Sequence, residues 1–374
     1  MSQHSKIAIV IHSLCGGGSE HAAAMMAGHW AAEGRDVTLI TLDEVAGDSI
    51  DFHKAVRRVG LGLLSDSTNP VSAIIANRRR VRALRSAIVE SDATRVISLT
   101  DRMNVLTILA CRGTGLKPIV AERTDPRQHR IGLIWSFLRR RTYPNAGTIV
   151  VQTESVRQAL LQLAGRCPVV VIPNAVPKVG DGECSAESDQ LNLDGNQKWI
   201  CGVGRLSTEK GFDRLIAGFT GVAQNHPDWS LVIVGDGPSR RELELHITGY
   251  GLAGRVLLAG WIEQPWPSLR NAEIFVLPSR YEGFPNALLE AMARGKACIA
   301  ADCQSGPAEI IQPGENGLLV DGDNDEELEA EISKALTSLV SSSGLRASLA
   351  ENAKQVQTEF SLERYFQAWD AIEV

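Results

Sequence analysis

Residues 274–290 read IFVLPSRYEGFPNALLE, and the fold class can be inferred from this segment. Residues 274–277 form a short apolar run typical of a buried strand, and residues 286–294 have the composition of a helix. The loop between them contains one glycine, two prolines and Glu282. A strand, a loop and a helix in this order predict a crossover to a next strand that runs parallel to the first.

The same alternation extends in both directions from this unit. Strand-length apolar runs occur at residues 6–11, 37–42, 95–99, 119–122, 147–151 and 169–172, and again at residues 199–203, 231–234, 256–259, 297–300 and 317–320. Helical stretches separate many of them, among them residues 78–90 and 155–163. This pattern predicts an α/β protein with two Rossmann-like domains, each a doubly wound parallel sheet, facing a central cleft.

A chain of 374 residues is long enough for two such domains. We place the first at residues 1–174 and the second at residues 198–356, with an aperiodic linker at residues 175–197. Residues 357–374 are expected to form a C-terminal helix that can cross back to the first domain. The loops after the strands are the expected binding site, because open α/β sheets bind ligands beyond the carboxyl ends of their strands.

The charge of the chain is distributed unevenly. Its net charge is −6, yet residues 1–174 carry 22 Lys and Arg against 14 Asp and Glu. This excess predicts an anionic partner for the first half, although simple divergence of the halves would also explain it. No apolar run approaches the roughly 20 residues of a membrane span, and the N-terminus does not resemble a signal peptide, so a cytoplasmic location is expected. The seven cysteines form no CxxC pair, so neither a disulfide framework nor a metal site is expected.

Three loops after predicted strands carry weaker candidate sites. The first contains Gly17 and Gly18 in a triple glycine, which suits either a phosphate cradle or a tight turn. The second places Arg205 and Lys210 five residues apart, and two such cations can clamp a diphosphate without a metal. The third contains Gly237 in a Gly-Asp-Gly-Pro sequence, which suits close approach of a ligand or a plain capped turn.

The fourth loop gives the strongest indication of a site. Glu282 precedes a Gly-Phe-Pro turn, Asn286 is expected to cap the following helix, and Glu290 lies about one turn inside that helix. A diphosphate on the helix N-terminus would have one carboxylate on each side. Two surface glutamates without a function are the alternative, but their position around this turn favours binding.

Together these motifs resemble family 4 retaining glycosyltransferases of the GT-B fold, and in particular bacterial envelope and exopolysaccharide enzymes. The shared pattern comprises residues 16–20, residues 203–206 with Lys210, residues 234–238, and Glu282 with Glu290 as the family's E-x7-E. The resemblance covers nearly the whole chain. It implies a hexosyltransferase that uses a nucleotide-sugar, with UDP favoured, retains the anomeric configuration, and needs no metal or other cofactor.

The resemblance also implies roles for individual residues. Arg205 and Lys210 would neutralise the donor diphosphate and Glu282 would contact the transferred sugar, which makes these three the catalytic candidates. The other donor contacts would come from residues expected around the nucleotide, namely Gly17, Gly18, Gly237, Trp261, Ile262, Gly283, Phe284, Pro285, Asn286, Ala287, Leu288 and Glu290.

Residues 122–127, Glu-Arg-Thr-Asp-Pro-Arg, depart from the many relatives that have a histidine after this strand. They resemble instead a subset of capsule and exopolysaccharide transferases. Arg123, Asp125 and Arg127 are therefore the acceptor-binding candidates.

Residues 130–144 mix aromatic and branched apolar residues with an arginine cluster. This composition predicts a helix on the anionic inner face of a membrane, with contacts from Arg130, Trp135, Phe137, Arg139, Arg140 and Arg141. An amphipathic helix packed on its own sheet, with its arginines reaching outward, is the alternative. Membrane contact favours an acceptor linked to undecaprenyl diphosphate, or a growing glycan, in envelope polysaccharide biosynthesis, and no nucleic-acid partner is expected.

Three other kinds of protein share this architecture. A UDP-sugar 2-epimerase would share the fold and the donor site. A nicotinamide dehydrogenase would need a dinucleotide fingerprint that the first glycine loop lacks. A non-catalytic protein would bind a sugar nucleotide or a polysaccharide without turnover.

Overall fold

The computed structural model describes residues 6–64, 69–129, 131–179 and 190–373. The predicted membrane residue Arg130 lies outside these ranges. The chain divides into an N-terminal unit, Met1–Ile172 with Trp369–Val374, and a C-terminal unit, Pro173–Ala368. No helix within the described ranges has the length and apolar character that crossing a bilayer requires.

The N-terminal unit is built on a seven-stranded parallel sheet. Its strands are β1 (Ile7–Ile11), β2 (Val37–Thr41), β3 (Arg57–Gly60), β4 (Arg95–Leu99), β5 (Ile119–Ala121), β6 (Thr148–Val151) and β7 (Val169–Val171). Its helices are α1 (Gly18–Ala32), α2 (Pro70–Glu90), α3 (Asp101–Cys111), α4 (Leu133–Thr142) and α5 (Glu154–Ala164). The strand order is β3-β2-β1-β4-β5-β6-β7, so the order reverses between β1 and β4.

Two elements of this unit were not predicted, for opposite reasons. The edge strand β3 has the sequence RRVG and is partly exposed, so it contains no apolar run. Helix α3 is buried on nearly all sides, so it lacks the polar face that gives a surface helix its period. In addition, α2 begins at Pro70 rather than at residue 78.

The C-terminal unit is built on a six-stranded parallel sheet. Its strands are β8 (Lys198–Val203), β9 (Trp229–Val234), β10 (Val256–Gly260), β11 (Ala272–Leu277), β12 (Ala297–Ala301) and β13 (Leu318–Val320). The helices that follow β8 are α6 (Phe212–Asn225), α7 (Arg240–Gly249), α8 (Pro265–Ser268), α9 (Asn286–Ala293), α10 (Asp325–Ser341), α11 (Ser343–Ala353), α12 (Val356–Glu359) and α13 (Leu362–Asp370). The strand order is β10-β9-β8-β11-β12-β13, which reverses between β8 and β11.

Alternate residues of β11 show how this sheet is covered on both faces. Ile274 and Val276 pack in a cluster with apolar residues of α6 and α10. Phe275 and Leu277 pack in a second cluster with residues of α9. Strands buried on both faces appear in sequence as continuous apolar runs, and the predicted doubly wound α/β architecture is confirmed.

The described ends of the predicted linker pack on the C-terminal unit. Val176 is buried, and its N–H donates to the carbonyl of Phe360 at 2.9 Å. Leu193 is buried in the same cluster as Val176. Residues 180–189 lie outside the described ranges.

The last residues of the chain pack within the N-terminal unit. Trp369 is buried, and Arg35 donates two hydrogen bonds to the carboxylate of Asp370 at 2.7 and 2.6 Å. Trp30 Nε1 donates to the same carboxylate at 3.2 Å. These contacts tie the end of α13 to the sheet and helices that precede residue 172.

Two glycines of the third candidate loop are required by the chain itself. A Cβ at Gly235 would lie 1.9 Å from the carbonyl oxygen of Gly204, and a Cβ at Gly237 would lie 2.3 Å from that of Leu206. The loops after β8 and β9 therefore cross with backbone against backbone. Of the two interpretations of Gly-Asp-Gly-Pro, the structure accounts for the tight turn.

Replacement of Gly237 by alanine should therefore destabilise the C-terminal unit. Because neither backbone can move without disturbing its strand, we expect a loss of more than about 2 kcal/mol in the free energy of unfolding. Urea denaturation measures this loss. The control is Gly249→Ala at the end of α7, where a Cβ meets no atom within 4 Å. Equal unfolding midpoints for the two variants would contradict the steric argument.

Candidate active site

The candidate site of the C-terminal unit lies at the carboxyl edge of its sheet. Since all strands of this sheet are parallel, the loops after β10, β9, β8, β11 and β12 leave it at one edge. The order reverses between β8 and β11, and crevices form where the chains on either side turn away from each other. Arg205 and Lys210 follow β8, and Glu282 follows β11.

Lys210 and Glu282 meet at this point of reversal. Lys210 Nζ lies 2.7 Å from Glu282 Oε1, and Ser279 Oγ donates to the same oxygen at 2.7 Å. Ser305 Oγ donates to the backbone carbonyl of Glu282 at 2.5 Å. Glu282 is buried, and its Oε2 receives no hydrogen bond from the described residues. This oxygen is therefore available to a ligand hydroxyl.

The loop after β8 is held directly on the loop after β11. Gly211 has a φ of +65°, and a Cβ there would lie 2.1 Å from the carbonyl oxygen of Pro278. The N–H of Arg280 donates to the carbonyl of Glu209 at 2.8 Å, and its guanidinium donates to Asp213 at 2.8 and 2.6 Å. The hydrogen bonds with Asp213 raise the pKa of Arg280. Arg280 thus fixes the loop that carries Lys210.

Glu290 lies one turn inside α9, as predicted, and a tryptophan orients it. Trp266 Nε1 donates to Glu290 Oε2 at 2.7 Å, and the guanidinium of Arg294 lies 5.1 Å from the centroid of the Trp266 ring. The indole is thereby held between a carboxylate and a cation.

The prediction that Asn286 caps α9 is wrong. The helix begins at Asn286, Pro285 occupies the cap position, and the side-chain oxygen of Asn286 accepts from Asn174 Nδ2 at 2.6 Å. The side chain of Asn286 is engaged in this bond, and the helix has no side-chain cap hydrogen bond. The N–H of Ala287 has no acceptor within the described residues and remains a donor for an anion.

The other predicted donor contacts differ in how exposed their side chains are. Arg205 is exposed, and its guanidinium has no hydrogen-bond partner in the described part of the chain. Trp261 is largely exposed, whereas Ile262, Phe284 and Leu288 are buried in the core. These three can therefore contact a ligand only through their backbone.

Gly17 and Gly18 lie in the N-terminal unit, at the start of α1. Gly17 is the cap residue, and its N–H donates to Glu20 Oε2 at 2.6 Å. Burial alone would raise the pKa of Glu20, but hydrogen bonds from His12, Ser13 and the Gly17 N–H lower that pKa to about 2. The side chain of Glu20 thus covers one N–H of the loop predicted to approach a phosphate.

The N-terminal unit contains a cavity of about 620 Å³ at the carboxyl edge of its own sheet. It lies where the strand order reverses, because its walls include His12, just after β1, and Asp101, just after β4. Thr100, which precedes Asp101, has a φ of +77°, a region that threonine rarely adopts. The polar lining comes from six elements or loops and includes His12, Arg80, Asp101, Arg102, Arg123 and His129.

Two imidazoles of this cavity face carboxylates. His12 Nε2 lies 3.0 Å from Glu20 Oε1, and His129 Nε2 lies 3.2 Å from Asp101 Oδ2. Neither histidine was predicted as a site residue from the sequence. His12 could have been found, since it directly follows a predicted strand, but His129 lies within a long loop and carries no local signal.

Of the three acceptor candidates, only Arg123 lines the cavity. Asp125 is buried, and its carboxylate binds Arg127 Nη2 at 2.6 Å. Arg127 also donates to Ser155 Oγ of α5 at 2.8 Å. Asp125 and Arg127 thus join the loop after β5 to α5.

The prediction that Arg139 contacts a membrane is wrong. Its side chain is on the inner face of α4 and is buried, with Nη1 3.7 Å from Glu122 Oε2. Tyr143 OH donates to the same oxygen at 2.6 Å. Burial, together with the charge of Asp101, raises the pKa of Glu122 to about 7, although Arg139 opposes this shift.

The remaining predicted membrane residues divide between two sides of α4. Phe137, Arg140 and Arg141 are exposed. Trp135 is half-buried, lines the cavity, and has the guanidinium of Arg102 5.7 Å from its ring centroid.

Comparison with known proteins identifies both halves of the chain. The family model described as "Glycosyl transferase 4-like domain" matches residues 17–175, and that described as "Glycosyl transferases group 1" matches residues 185–356. Among solved structures, HepE of Anabaena in complex with UDP and glucose is similar, with a TM-score of 0.77 at 19% identity over 98% of each chain. This likeness establishes a shared fold, GT-B.

Two curated proteins are similar to this chain in sequence. A Campylobacter jejuni protein named GalNAc-alpha-(1->4)-GalNAc-alpha-(1->3)-diNAcBac-PP-undecaprenol alpha-1,4-N-acetyl-D-galactosaminyltransferase is 26% identical over 97% of each chain. An exopolysaccharide phosphotransferase of Streptomyces coelicolor is 34% identical over 61% of this chain. The similar region spans only 23% of the Streptomyces protein.

The buried carboxyl of Glu122 should make stability depend on pH. Its pKa of about 7 lies above the ordinary value of 4.5, so the folded state holds an extra proton between these values. The resulting stabilisation is complete below pH 4.5 and is lost as the pH rises through 7. Urea denaturation across this range should show the wild type losing roughly 3 kcal/mol relative to Glu122→Gln. Glu315→Gln, at an exposed carboxylate, is the control, and parallel pH profiles for all three proteins would refute the assignment.

Proposed function

The chain is a GT-B glycosyltransferase with a 4-like domain followed by a group 1 domain, and we propose that it transfers a sugar from a UDP-sugar to an acceptor of envelope glycan biosynthesis. The donor binds to the C-terminal unit and the acceptor to the N-terminal unit. One observation carries the donor assignment: Lys210, Glu282 and the N-terminus of α9 share one loop cluster at the point where the strand order reverses.

Two cations and a helix N-terminus hold the donor diphosphate in this proposal. Lys210 and the exposed Arg205 supply positive charge, and the Ala287 N–H adds the dipole of α9. Together they stabilise the charge that develops on the leaving diphosphate, so the transfer needs no metal. Glu282 accepts a hydrogen bond from a sugar hydroxyl on Oε2. Glu290, oriented by Trp266, binds the ribose.

The transfer retains the anomeric configuration. The bond from the anomeric carbon to the diphosphate breaks, the acceptor oxygen bonds to the same face of that carbon, and the acceptor proton passes to the departing phosphate. This part of the proposal rests on the resemblance of Glu282 and Glu290 to the family's E-x7-E motif.

The acceptor is a lipid-linked or growing glycan, met at the inner face of the cytoplasmic membrane. The similarity to the Campylobacter protein, whose name specifies a glycan on undecaprenyl diphosphate, supports this class over nearly the full length. The exposed Phe137, Arg140 and Arg141 of α4 support contact with an anionic membrane.

The test is a transfer assay with a panel of UDP-sugars and a polyprenyl-diphosphate-linked glycan, with UDP release followed by chromatography. Glu282→Gln should lower the rate of transfer at least about 100-fold, because the variant loses the charge paired with Lys210 and facing the sugar. Glu351→Gln, on the exposed surface of α11, should match the wild type. NMR of the product assigns the anomeric configuration.

Other results of this assay identify other functions. Interconversion of one UDP-sugar into another without an acceptor would identify the protein as an epimerase. Binding of a UDP-sugar without turnover would identify a non-catalytic protein. An inverted product would overturn retention while leaving transfer intact.

Metal removal gives an independent prediction. Because side-chain cations and α9 supply the charge, EDTA should leave the transfer rate unchanged, and added Mg²⁺ or Mn²⁺ should not restore a Lys210→Met variant. A rate abolished by EDTA and recovered with a divalent cation would show that the clamp of Arg205 and Lys210 is insufficient.

A further inference from the structure

Glu282 is held by two serine hydroxyls that come from different loops. Ser279, in the loop after β11, donates from Oγ to Glu282 Oε1 at 2.7 Å. Ser305, in the loop after β12, donates from Oγ to the backbone carbonyl of Glu282 at 2.5 Å. Both serines are buried. The carboxylate and the backbone of Glu282 are thus fixed separately, and neither serine was predicted as a site residue from the sequence.

The backbone on either side of Ser279 is fixed against the loop after β8. The carbonyl of Pro278 lies so close to Gly211 that a Cβ on this glycine would be 2.1 Å from its oxygen. On the other side, the N–H of Arg280 donates to the carbonyl of Glu209 at 2.8 Å. Because both neighbours are held and Ser279 itself is only 1% exposed, its hydroxyl has little freedom to leave Oε1.

Lys210 also donates to Oε1, but its surroundings differ from those of Ser279. Its side chain is 27% exposed, and its Nζ lies 2.7 Å from Oε1. An ammonium group ends a flexible four-carbon chain and has three protons to donate, so it can bind a carboxylate and a diphosphate together or in turn. A serine hydroxyl has one proton, which Ser279 commits to Oε1. Ser279 is therefore the fixed donor of the pair, and Lys210 is the adjustable one.

Both donors use the same oxygen of the Glu282 carboxylate. Its Oε2 receives no hydrogen bond from the part of the chain that the structure describes. An ionised carboxylate can accept hydrogen bonds on both oxygens, so a ligand hydroxyl can reach Oε2 without displacing Ser279 or Lys210. If a diphosphate draws Lys210 away, Ser279 is left to hydrogen-bond a buried charge, and leaving such a charge without a partner is costly.

The loop that carries Ser305 packs on the turn that follows Glu282. Gly306 has a φ of +100°, and a Cβ there would lie 2.7 Å from Pro285 Cδ. The backbone of the loop after β12 therefore lies directly on this turn. The hydroxyl of Ser305 adds a directed bond to the packing, at the residue that carries the candidate carboxylate.

We propose that Ser279 and Ser305 are positioning residues of the transfer reaction, which hold Glu282 so that Oε2 is the oxygen that accepts from the sugar. Ser279 keeps the carboxylate in place while Lys210 binds the donor diphosphate. Both serines act through Glu282 and neither contacts the donor. The inference rests on the proposed function for the sugar and the diphosphate, and it assigns separate roles to the two donors on Oε1.

The first experiment compares the two donors by calorimetry with UDP, which has a diphosphate but no sugar. Ser279→Ala should bind UDP with the wild-type dissociation constant, because Glu282 has no sugar to meet. Lys210→Met should bind UDP at least about tenfold more weakly, because it lacks a charge on the diphosphate. Unchanged UDP binding also reports that the C-terminal unit of Ser279→Ala is folded.

The second experiment measures kcat and KM in the transfer assay, with the UDP-sugar that the wild type uses best. Ser279→Ala should lower kcat at least about tenfold, because a hydrogen bond to a charged group is lost. Ser305→Ala should lower kcat by a smaller factor, since its acceptor is an uncharged carbonyl. KM should change less than kcat in both variants. The control is Ser230→Ala, a buried serine at the start of β9, which should match the wild type.

A double-mutant cycle shows whether Ser279 acts through Glu282. In a Glu282→Ala background, single-turnover kinetics should show almost no further loss on adding Ser279→Ala, because no carboxylate is left to position. An equal loss in both backgrounds would show that Ser279 supports the loop in general, and it would overturn the proposal.

Two other results would also overturn the proposal. One is wild-type kcat in Ser279→Ala. The other is UDP binding by Ser279→Ala as weak as that of Lys210→Met, which would mean that the serine holds the loop of the diphosphate clamp.

Failure of these roles is distinguishable from failure of the proposed function. A wild type that binds no UDP-sugar, or binds one without transfer, would refute the proposed function and the positioning roles with it. A wild type that transfers sugar as Ser279→Ala does would retain the proposed function and exclude only the positioning roles.

Discussion

The candidate donor site depends on backbone packed against backbone at the carboxyl edge of the C-terminal sheet. Gly211 lies on the carbonyl of Pro278, with no space for a Cβ, and Gly235 lies in the same way on Gly204. These crossings hold the loops after β8, β9 and β11 together. Lys210 can reach Glu282 at 2.7 Å only because no side chains separate these loops. The glycines thus affect the candidate site indirectly, because they determine where Lys210 and Glu282 come together.

Each unit has a glutamate in a loop that follows a strand of its sheet, Glu282 after β11 and Glu122 after β5. Their neighbouring residues give the two glutamates different roles. Glu282 is neutralised by Lys210, and its Oε2 receives no hydrogen bond from the described residues. Glu122 accepts from Thr124 on one oxygen and from Tyr143 on the other, with Arg139 beside it. It therefore anchors the loop after β5, whose next residue, Arg123, lines the cavity. Burial, with the charge of Asp101 as a second cause, explains the raised pKa of Glu122.

In the proposed function, the two units use the same topological position for two kinds of ligand. In each sheet the strand order reverses once, and the polar groups gather at that reversal. The C-terminal unit combines the cations Arg205 and Lys210 with the carboxylate of Glu282. This combination suits a ligand that carries both a phosphate and a sugar. The cavity of the N-terminal unit combines three arginines with one carboxylate, which suits an anionic ligand. Three of the 22 Lys and Arg residues in the first 174 residues thus line this cavity.

The amino-acid sequence alone predicted the parallel α/β architecture and the loops that carry the candidate donor residues. It could do so because strands buried on both faces appear as apolar runs, and the loop after each run contains the residues at the carboxyl edge. It missed β3, which is polar at a sheet edge, and α3, which is buried all round. Tertiary packing selects the buried face of α4, since composition does not fix the rotation of a helix against its sheet. Arg139 lies on the buried face for that reason. The pairing of Asp101 with His129, and of Asn174 with Asn286, depends in the same way on contacts between segments distant in the chain, which no local pattern encodes.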